Sequence, residues 1–439
     1  MFREIFIFEY VSGGGFNQTN IPSSLFSEGF SMLRTIIDDF KKLNFKINTM
    51  LDIRIDFLSK ILNADSIEFI NSKLDFLDFF KDLVEKCEFC FIIAPEFSNI
   101  LKKLTEIVKL KKKKLLSIDV EGIELGASKY NTYRYFINNK LRTPKTYMIP
   151  SKNRFPDKDF VIKKFIEFNK PIIIKPDDGV GADSIFYFYK KEHIEKIFNN
   201  FSENFDINRK FILQDYIDGK HMSLSLLNYY SRDLKKVKYK ILSINSQNIK
   251  ISNKENTLEY YGGHTPVKNY KNLSTKILNM FKTINFSKFH GLFGIDFILK
   301  NNKIFFIEIN PRLTTSYIAF RNVINKNPIE LLLKSKLNNL GKDRIKIRRN
   351  SVFTRLELLY RGNLTNKRMI EEIYHDLLKL FPEIIVPPIS LNNNLFSCFL
   401  STKEKTLEKS IEKLNEIKLF LASQQFTIQE ARKHIPLKT

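Results

Sequence analysis

The sequence predicts an α/β chain in which a Rossmann-like domain precedes a two-subdomain α+β unit and an appended α+β segment. Three observations predict it. Over residues 1–125, short apolar runs alternate with amphipathic stretches, the pattern of a parallel sheet covered by helices. Residues 126–218 read as a smaller α+β unit around a glycine-containing loop, and in residues 219–340 the strands lengthen and turn antiparallel in character. Residues 341–439 mix strands and helices again.

The elements follow in order. Strands are expected at Ile5–Glu9, Ile47–Leu51, Ile67–Ile70, Cys87–Ile93 and Leu115–Ile118, with helices at Phe26–Leu43, capped by Ser24 or Ser27, and at Ser98–Leu110. The turn running from Glu9 through Gly13 and Gly14 to Gly15 lies past the carboxyl end of the first strand, where open α/β sheets bind ligands. It is not the G-x-G-x-x-G fingerprint, so no dinucleotide claim follows. The second unit reads strand Lys145–Ile149, helix Asp159–Phe168, strand Pro171–Pro176, loop, strand Ile185–Tyr189, helix, strand Phe211–Tyr216. The last segment reads strands Val352–Tyr360 and Phe396–Leu400 with helices Lys367–Leu380 and Lys403–Leu421.

Composition excludes several classes. With 439 residues, 43% hydrophobic and 27% charged, the chain can bury large cores and is no disordered basic tail. A net charge of +24 would suit a nucleic-acid partner, but the basic residues are spread along the chain. The excess of Lys, Asn, Ile and Phe is what AT-rich codons produce. The densest run, Lys111 to Lys114, follows a helix, where cations suit the macrodipole. No nucleic-acid partner is expected. No apolar run reaches the roughly 18–20 residues of a membrane span, and the first ten residues read as a buried strand rather than a signal peptide. Cys87 and Cys90 open an apolar strand and read as buried reduced thiols. The expectation is a cytoplasmic protein without a membrane partner; a homo-oligomer is compatible with all of this.

Two stretches carry chemistry. In the first, Lys175 ends a strand and precedes a loop with Gly179, Gly181 and Ser184. Glycines there let backbone N–H groups turn toward phosphate oxygens, and Lys175 supplies a point charge. The second is the hairpin Gly291 to Arg312. Ile295, Phe297 and Leu299 on one strand and Phe305, Ile307 and Ile309 on the next form an apolar face, which leaves Asp296, Glu308 and Asn310 on the other. An odd-length loop, Asn301-Asn302-Lys303, would set Asp296 opposite Glu308. Two carboxylates and an amide form a hard-oxygen site for Mg²⁺, or Mn²⁺ in its place, with phosphate completing the shell.

The order Lys129, Lys175 with its glycine loop, Gln214-Asp215-Tyr216-Ile217, Asp296, Glu308-x-Asn310-x-Arg312 resembles the ATP-grasp superfamily of carboxylate–amine ligases, over roughly residues 1 to 335. The resemblance implies ATP contacts from Lys129, Lys175 and the glycine loop, and adenine contacts from Gln214, Tyr216 and Ile217. It implies Mg²⁺ on Asp296, Glu308 and Asn310, and Arg312 on the transferred phosphoryl group. Where several relatives carry an acidic ribose contact this chain has His221, so Asp218 is the substitute. The Glu9–Gly15 turn, Arg34 in Met32-Leu33-Arg34, Gly262 and His264 in Tyr261–Pro266, and Leu313-Thr314-Thr315 resemble an archaeal branch, that of tyramine–glutamate ligase. That implies substrate contacts at Glu9, Gly13, Gly14, Arg34, Gly262 and His264, and small-molecule carboxylate and amine substrates.

The resulting expectation is an ATP-dependent, ADP-forming ligase that activates a carboxylate, in the manner of glutamate, as an acyl phosphate and passes it to an amine. The loop Asp177–Ser184 is the expected lid over that intermediate. A regulatory nucleotide-binding protein on the same scaffold is the rival, and the intact Asp, Glu, Asn, Arg set argues against it.

Overall fold

A computed structural model describes residues 3–152, 154–179, 184–200, 205–206, 208–231, 235–252, 257–337, 340, 344–362, 374, 377–391 and 395–429. Strands β1 (Arg3–Glu9), β2 (Phe45–Asp52), β3 (Ser66–Ile70), β4 (Phe89–Ile93) and β5 (Lys114–Leu115) form a parallel sheet in the order β3-β2-β1-β4-β5. The order reverses between β1 and β4. Beyond their carboxyl ends lies the crevice that such sheets use for ligands, closed at its base by Tyr10 N donating to Ile93 O at 2.9 Å. β5 is shorter than expected, because the chain leaves this edge once Leu116 N has donated to Cys90 O.

Helix α1 (Ser23–Lys41) buries Phe26, Phe30, Leu33, Ile37 and Phe40 at helical spacing. Its N-cap is Pro22, not a serine; Pro22 presets the entry with φ −69°, and the Ser27 hydroxyl instead accepts from Ser397. Helices α2 (Phe76–Lys86), α3 (Ile100–Leu110), α4 (Val120–Ala127) and α5 (Lys129–Asn138) complete the region, with Asp75, Asp119 and Ser128 as side-chain caps. Lys111 pairs with Glu85 and Lys114 with Glu88, and Lys113 donates to the Glu85 carbonyl, so two charges of the densest basic run are matched locally. Cys87 and Cys90 are buried and free, and burial pushes their thiols up to about 11 and about 12.

The second region contains β6 (Thr146–Met148), the ribbon β7 (Ser151–Lys152) with β8 (Phe155–Pro156), α6 (Lys158–Phe168), β9 (Ile172–Pro176), β10 (Phe186–Phe188), α7 (Lys191–Asn199) and β11 (Phe211–Asp215). It has its own small core of Val161, Ile172, Ile174, Phe188, Ile194 and Leu213 among others. There follow β12 (Lys220–Ser231), β13 (Lys236–Ser246), β14 (Ile249–Ser252), β15 (Thr257–Tyr260), β16 (Gly262–Thr265), β17 (Leu292–Lys300) and β18 (Lys303–Asn310). β14 and β15 extend the second sheet, ordered β14-β15-β10-β9-β11-β6, while β13-β12-β17-β18 form an antiparallel sheet of their own.

The final strands, β19 (Ser351–Tyr360), β20 (Ile384–Ile389), β21 (Leu395–Ser401) and β22 (Phe426–Ile428), share a sheet with β16. The last segment is therefore built into the molecule. Its Phe353, Leu358 and Phe399 belong to the same continuous core as Phe8, Phe30 and Phe293. Arg34 of α1 donates to the carbonyls of Ile385 at 2.6 Å and Ile384 at 3.2 Å. Of the helix expected at Lys367–Leu380, residues 367–373, 375 and 376 lie outside the described residues, and 377–380 are helical.

The β16–β19 joint is tight. Gly262 has φ +108°, and a Cβ there would lie 2.1 Å from Phe353 O. Gly262→Ala is expected to cost at least about 3 kcal/mol through combined backbone strain and overpacking. The urea midpoint measures it, and a loss below about 1 kcal/mol would mean that the joint is looser than described.

Candidate active site

The hairpin β17–β18 sets the centre of the site. Its turn is Asn301-Asn302, with φ of 46° and 61°, and Lys300 pairs with Lys303. Both left-handed asparagines make a two-residue hairpin turn, not the expected three-residue loop. Continued unbroken, that register would oppose Asp296 to Ile307. A bulge between Asp296 and Phe297 intervenes: Phe297 pairs with Phe306, then Asp296 with Glu308, and Ile307 is the extra residue. The expected apolar alternation breaks with it, so Ile304, Phe306 and Ile309 are buried while Phe305 and Ile307 are half-buried. Asp296 still faces Glu308, by a different route.

Asp296 accepts from Asn310 Nδ2 and from Gln247 Nε2, each at 3.1 Å. Glu308 Oε2 lies 3.3 Å from Lys175 Nζ and 3.7 Å from Lys129 Nζ. Burial and the Glu308 charge push the Asp296 carboxyl well above its usual range. Burial also pushes Glu308 up, but Lys129 and Lys175 outweigh it and hold this carboxylate below its ordinary value. Burial lowers Lys175, and Glu308 opposes the shift.

The two lysines are fixed by one aspartate. Asp177 follows β9, which carries Lys175; its carbonyl accepts from Lys129 N and its carboxylate from Tyr130 N, both at 2.8 Å. It thus serves two free N–H groups at the start of α5. Lys129 Nζ donates to Gly179 O at 2.5 Å. The neighbouring Asp178 meets Arg209 Nε at 3.0 Å and Ser98 N at 3.2 Å, tying the loop's start to the first domain. Ser184 resumes the chain at φ 54°. Gly181, with the rest of 180–183 in the expected lid, lies outside the described residues.

Gln214 Nε2 donates to Thr146 Oγ1 at 2.9 Å, and Tyr216 N donates to Pro171 O at 3.0 Å, so both donors are committed within the protein. Ile217 is half-buried and Asp218 exposed. His221 sits within electrostatic reach of both Lys175 and Asp218, with burial lowering its pKa. Lys175, Asp218 and His221 therefore lie near one another.

Arg312 follows the hairpin, and its Nε lies 3.0 Å from Glu96 Oε1, in the loop after β4. The Rossmann-like crevice thus reaches the carboxylate pair. Glu9 lies buried at the same crevice, accepting from Val11 N at 3.0 Å, Ser12 N at 2.8 Å and Ser12 Oγ at 2.6 Å. Gly13 N donates back to Glu9 O and Gly14 adopts φ +98°, so these glycines make the turn that folds over Glu9. Arg34 is engaged with β20, and His264 Nδ1 with Ser246 Oγ at 2.6 Å, so neither makes a recorded contact with the carboxylate pair.

Four residues escaped the sequence reading: Glu96, Gln247, Glu28 and Arg355. Glu96 could have been found, as an acid just past the carboxyl end of a buried strand. Glu28 and Arg355 are charges within apolar patterns, in α1 and β19. Gln247 lies in a turn with no local signal.

The donor set fits a divalent cation. Two half-buried carboxylates face each other, and among the described residues Glu308 pairs with two ammonium groups while Asp296 accepts from two amides. No cluster of three or more His, Cys, Asp or Glu side chains able to hold a metal occurs among the described residues. Asp296, Glu308 and Asn310 would leave the rest of a shell to phosphate and water, as Mg²⁺ favours.

Comparison with known proteins identifies two domain families in the chain. A pre ATP-grasp domain matches residues 45–123 and an ATP-grasp domain residues 126–316. A tyramine–L-glutamate ligase of Methanocaldococcus jannaschii is 30% identical over 352 residues, spanning 78% of this chain and 92% of that protein. Among solved structures, an L-amino acid ligase from Bacillus licheniformis superposes with TM-score 0.59 at 13% identity over 98% of this chain and 99% of its own. The biotin carboxylase domain of Hydrogenobacter thermophilus 2-oxoglutarate carboxylase, solved with MgADP, gives 0.66 at 13% identity over 98% and 91%. These two show likeness of fold.

Burial pushes the Glu9 carboxyl from 4.5 up to about 7, against the hydrogen bonds from Ser12 and Val11 and the charge of Arg312. A native value above the unfolded one makes the protonated group stabilising. That contribution is complete below the unfolded value and is lost as pH rises through the folded one. Between these two values the wild type is expected to lose about 3 kcal/mol more stability than Glu9→Gln. Denaturation at a series of pH values tests it, and parallel curves would refute the assignment.

Proposed function

The chain belongs to the ATP-grasp family, and on that premise we propose that it joins an amino-acid carboxylate to an amine through an acyl phosphate, releasing ADP and phosphate. The observation that carries the reading is the opposed pair Asp296 and Glu308, flanked by Lys129 and Lys175 on one side and by Arg312 on the other. Such a set neutralises a polyphosphate and stabilises charge as it moves between oxygens.

Lys129 and Lys175 would bind phosphate oxygens, and the buried, dry setting of Lys175 makes its charge count for more than it would in water. Asp296, Glu308 and Asn310 would hold Mg²⁺, which when bound offsets phosphate charge and orients the γ-phosphate. Arg312, held by Glu96, would contact the transferring phosphoryl group. A carboxylate oxygen forms a bond to the γ-phosphorus as the bond to the bridging β–γ oxygen breaks. The amine nitrogen then bonds to the acyl carbon, the acyl–phosphate bond breaks, and the amine proton is released. His221 and Asp218, near Lys175, are proposed to meet the ribose.

The relative's substrates provide the first pair to test, a glutamate-like amino acid and an aromatic amine. With L-glutamate, tyramine and ATP, the wild type is expected to release ADP in step with amide. Asp296→Asn and Glu308→Gln should each lower that rate by about 10³-fold or more. Thermal unfolding of Asp296→Asn should stay near that of the wild type, since it removes one of two like-charged carboxylates, whereas Glu308→Gln, which leaves Lys129 and Lys175 without their counter-charge, should unfold at a lower temperature. Turnover within tenfold of the wild type in either variant would remove that residue from the metal site.

A further inference from the structure

Glu28 of α1 and Arg355 of β19 meet where the first domain, the loop after β18 and the last segment converge. Arg355 Nη1 lies 3.6 Å from Glu28 Oε1 and Nη2 3.4 Å from Glu357 Oε1, with the arginine side chain 8% exposed. The guanidinium also packs over the Tyr261 ring at 5.7 Å, and Arg355 N donates to Tyr261 O at 3.2 Å. Glu28 Oε2 accepts from Thr315 Oγ1 at 3.0 Å, and Glu28 feels the charges of both Arg355 and Arg312.

This pairing is unusually loose for a buried arginine. Strong guanidinium–carboxylate pairs are frequently bidentate, with N···O distances of about 2.7–2.9 Å. Here both distances are longer, and Arg355 Nε, though buried, has no hydrogen-bond partner among the described residues. Glu96 Oε2 and Arg312 Nε, in the ion pair described above, are further buried polar atoms without one among the described residues. Arg355 thus retains hydrogen-bonding capacity beside the Glu28 carboxylate, and burying unmet capacity is costly. A ligand with both a carboxylate and an ammonium would meet it without changing the net charge.

We propose that Glu28 and Arg355 form the binding site for the charged end of an amino-acid substrate, Arg355 taking its α-carboxylate and Glu28 its α-ammonium. A second carboxylate on the same molecule is then free to face Arg312, which stands in the same loop as Thr315, the residue whose hydroxyl donates to Glu28. The substrate class is thus a dicarboxylic amino acid, and the last segment contributes a side chain to its recognition. This rests on the ligase reading above for its chemistry, though not for its binding test.

Calorimetry with L-glutamate in the presence of Mg²⁺ and ADP tests it. The wild type should bind glutamate. It should bind glutarate, which lacks the ammonium, and 4-aminobutyrate, which lacks the α-carboxylate, far more weakly. Glu28→Gln and Arg355→Gln should each weaken glutamate by at least about thirtyfold, and Arg355→Lys by less, while ADP affinity moves by under about twofold. Glu28→Gln should also abolish the preference for glutamate over glutarate, and Arg355→Gln that over 4-aminobutyrate. Should a variant fail to fold, the wild-type ranking of the three ligands decides. No glutamate binding by the wild type, no preference among the ligands, or variants that bind as the wild type does would overturn the proposal. Glutamate binding without ADP release would instead refute the ligase reading and leave this site standing.

Discussion

Two carboxylates on adjacent strands, largely withdrawn from solvent and facing each other, repel unless something positive lies between or beside them. The opposition of Asp296 and Glu308 is the constraint on which the rest of the site depends. A bulge at Ile307 creates it, and the surrounding elements answer it unequally. Glu308 receives Lys129 and Lys175 from the neighbouring subdomain, while Asp296, among the described residues, hydrogen-bonds to the amides of Asn310 and Gln247 and feels Lys175 and Arg312 at longer range. That imbalance gives the pair its capacity for a divalent ion. Asp177 keeps the two lysines in one place by bonding the start of α5 from the loop that follows Lys175.

The same centre explains why three parts of the chain fold together. The Rossmann-like sheet delivers Glu96 to Arg312 from the crevice at which its strand order reverses. The last segment delivers Arg355 to Glu28 through a strand that pairs with β16. Arg34 fastens α1 to β20 and so holds Glu28 against that strand. Charges from separate domains meet in a poorly solvated region, where each interaction is stronger than at the surface and each missing partner costs more.

Most of the framework was legible in the sequence because local pattern sets it. Parallel strands alternating with helices, the Lys175 loop between two strands and the Asp, Glu, Asn, Arg hairpin all follow from periodicity and spacing. The bulge was not legible. The face of Asp296 and Glu308 was read correctly from alternation, but the turn was given an extra residue that the structure places at Ile307 instead. A bulge is selected by packing on both sides of a sheet, which a single strand's pattern does not contain. The caps of α1 and the partners of Arg34 and His264 failed for the same reason, since Pro22, Ile385 and Ser246 act through contacts distant in sequence or through backbone alone. Glu28 and Arg355 escaped because each stands among other charged residues of its element, as Arg34 and Asp38 in α1 or Glu357 in β19, and resembles a surface residue until its partner is found.

The net charge of +24 plays little part in this arrangement: surface lysines such as Lys111 and Lys114 are matched by Glu85 and Glu88, and the cations that matter are few. The central claim is that a carboxylate of the substrate takes the γ-phosphoryl group directly. It is tested most directly by supplying L-glutamate labelled with ¹⁸O in its carboxylates, with tyramine and unlabelled ATP, and weighing the released phosphate. Acyl-phosphate chemistry predicts one ¹⁸O atom in each phosphate, formed together with ADP. Unlabelled phosphate accompanying amide formation, or AMP and pyrophosphate in place of ADP, would contradict the account.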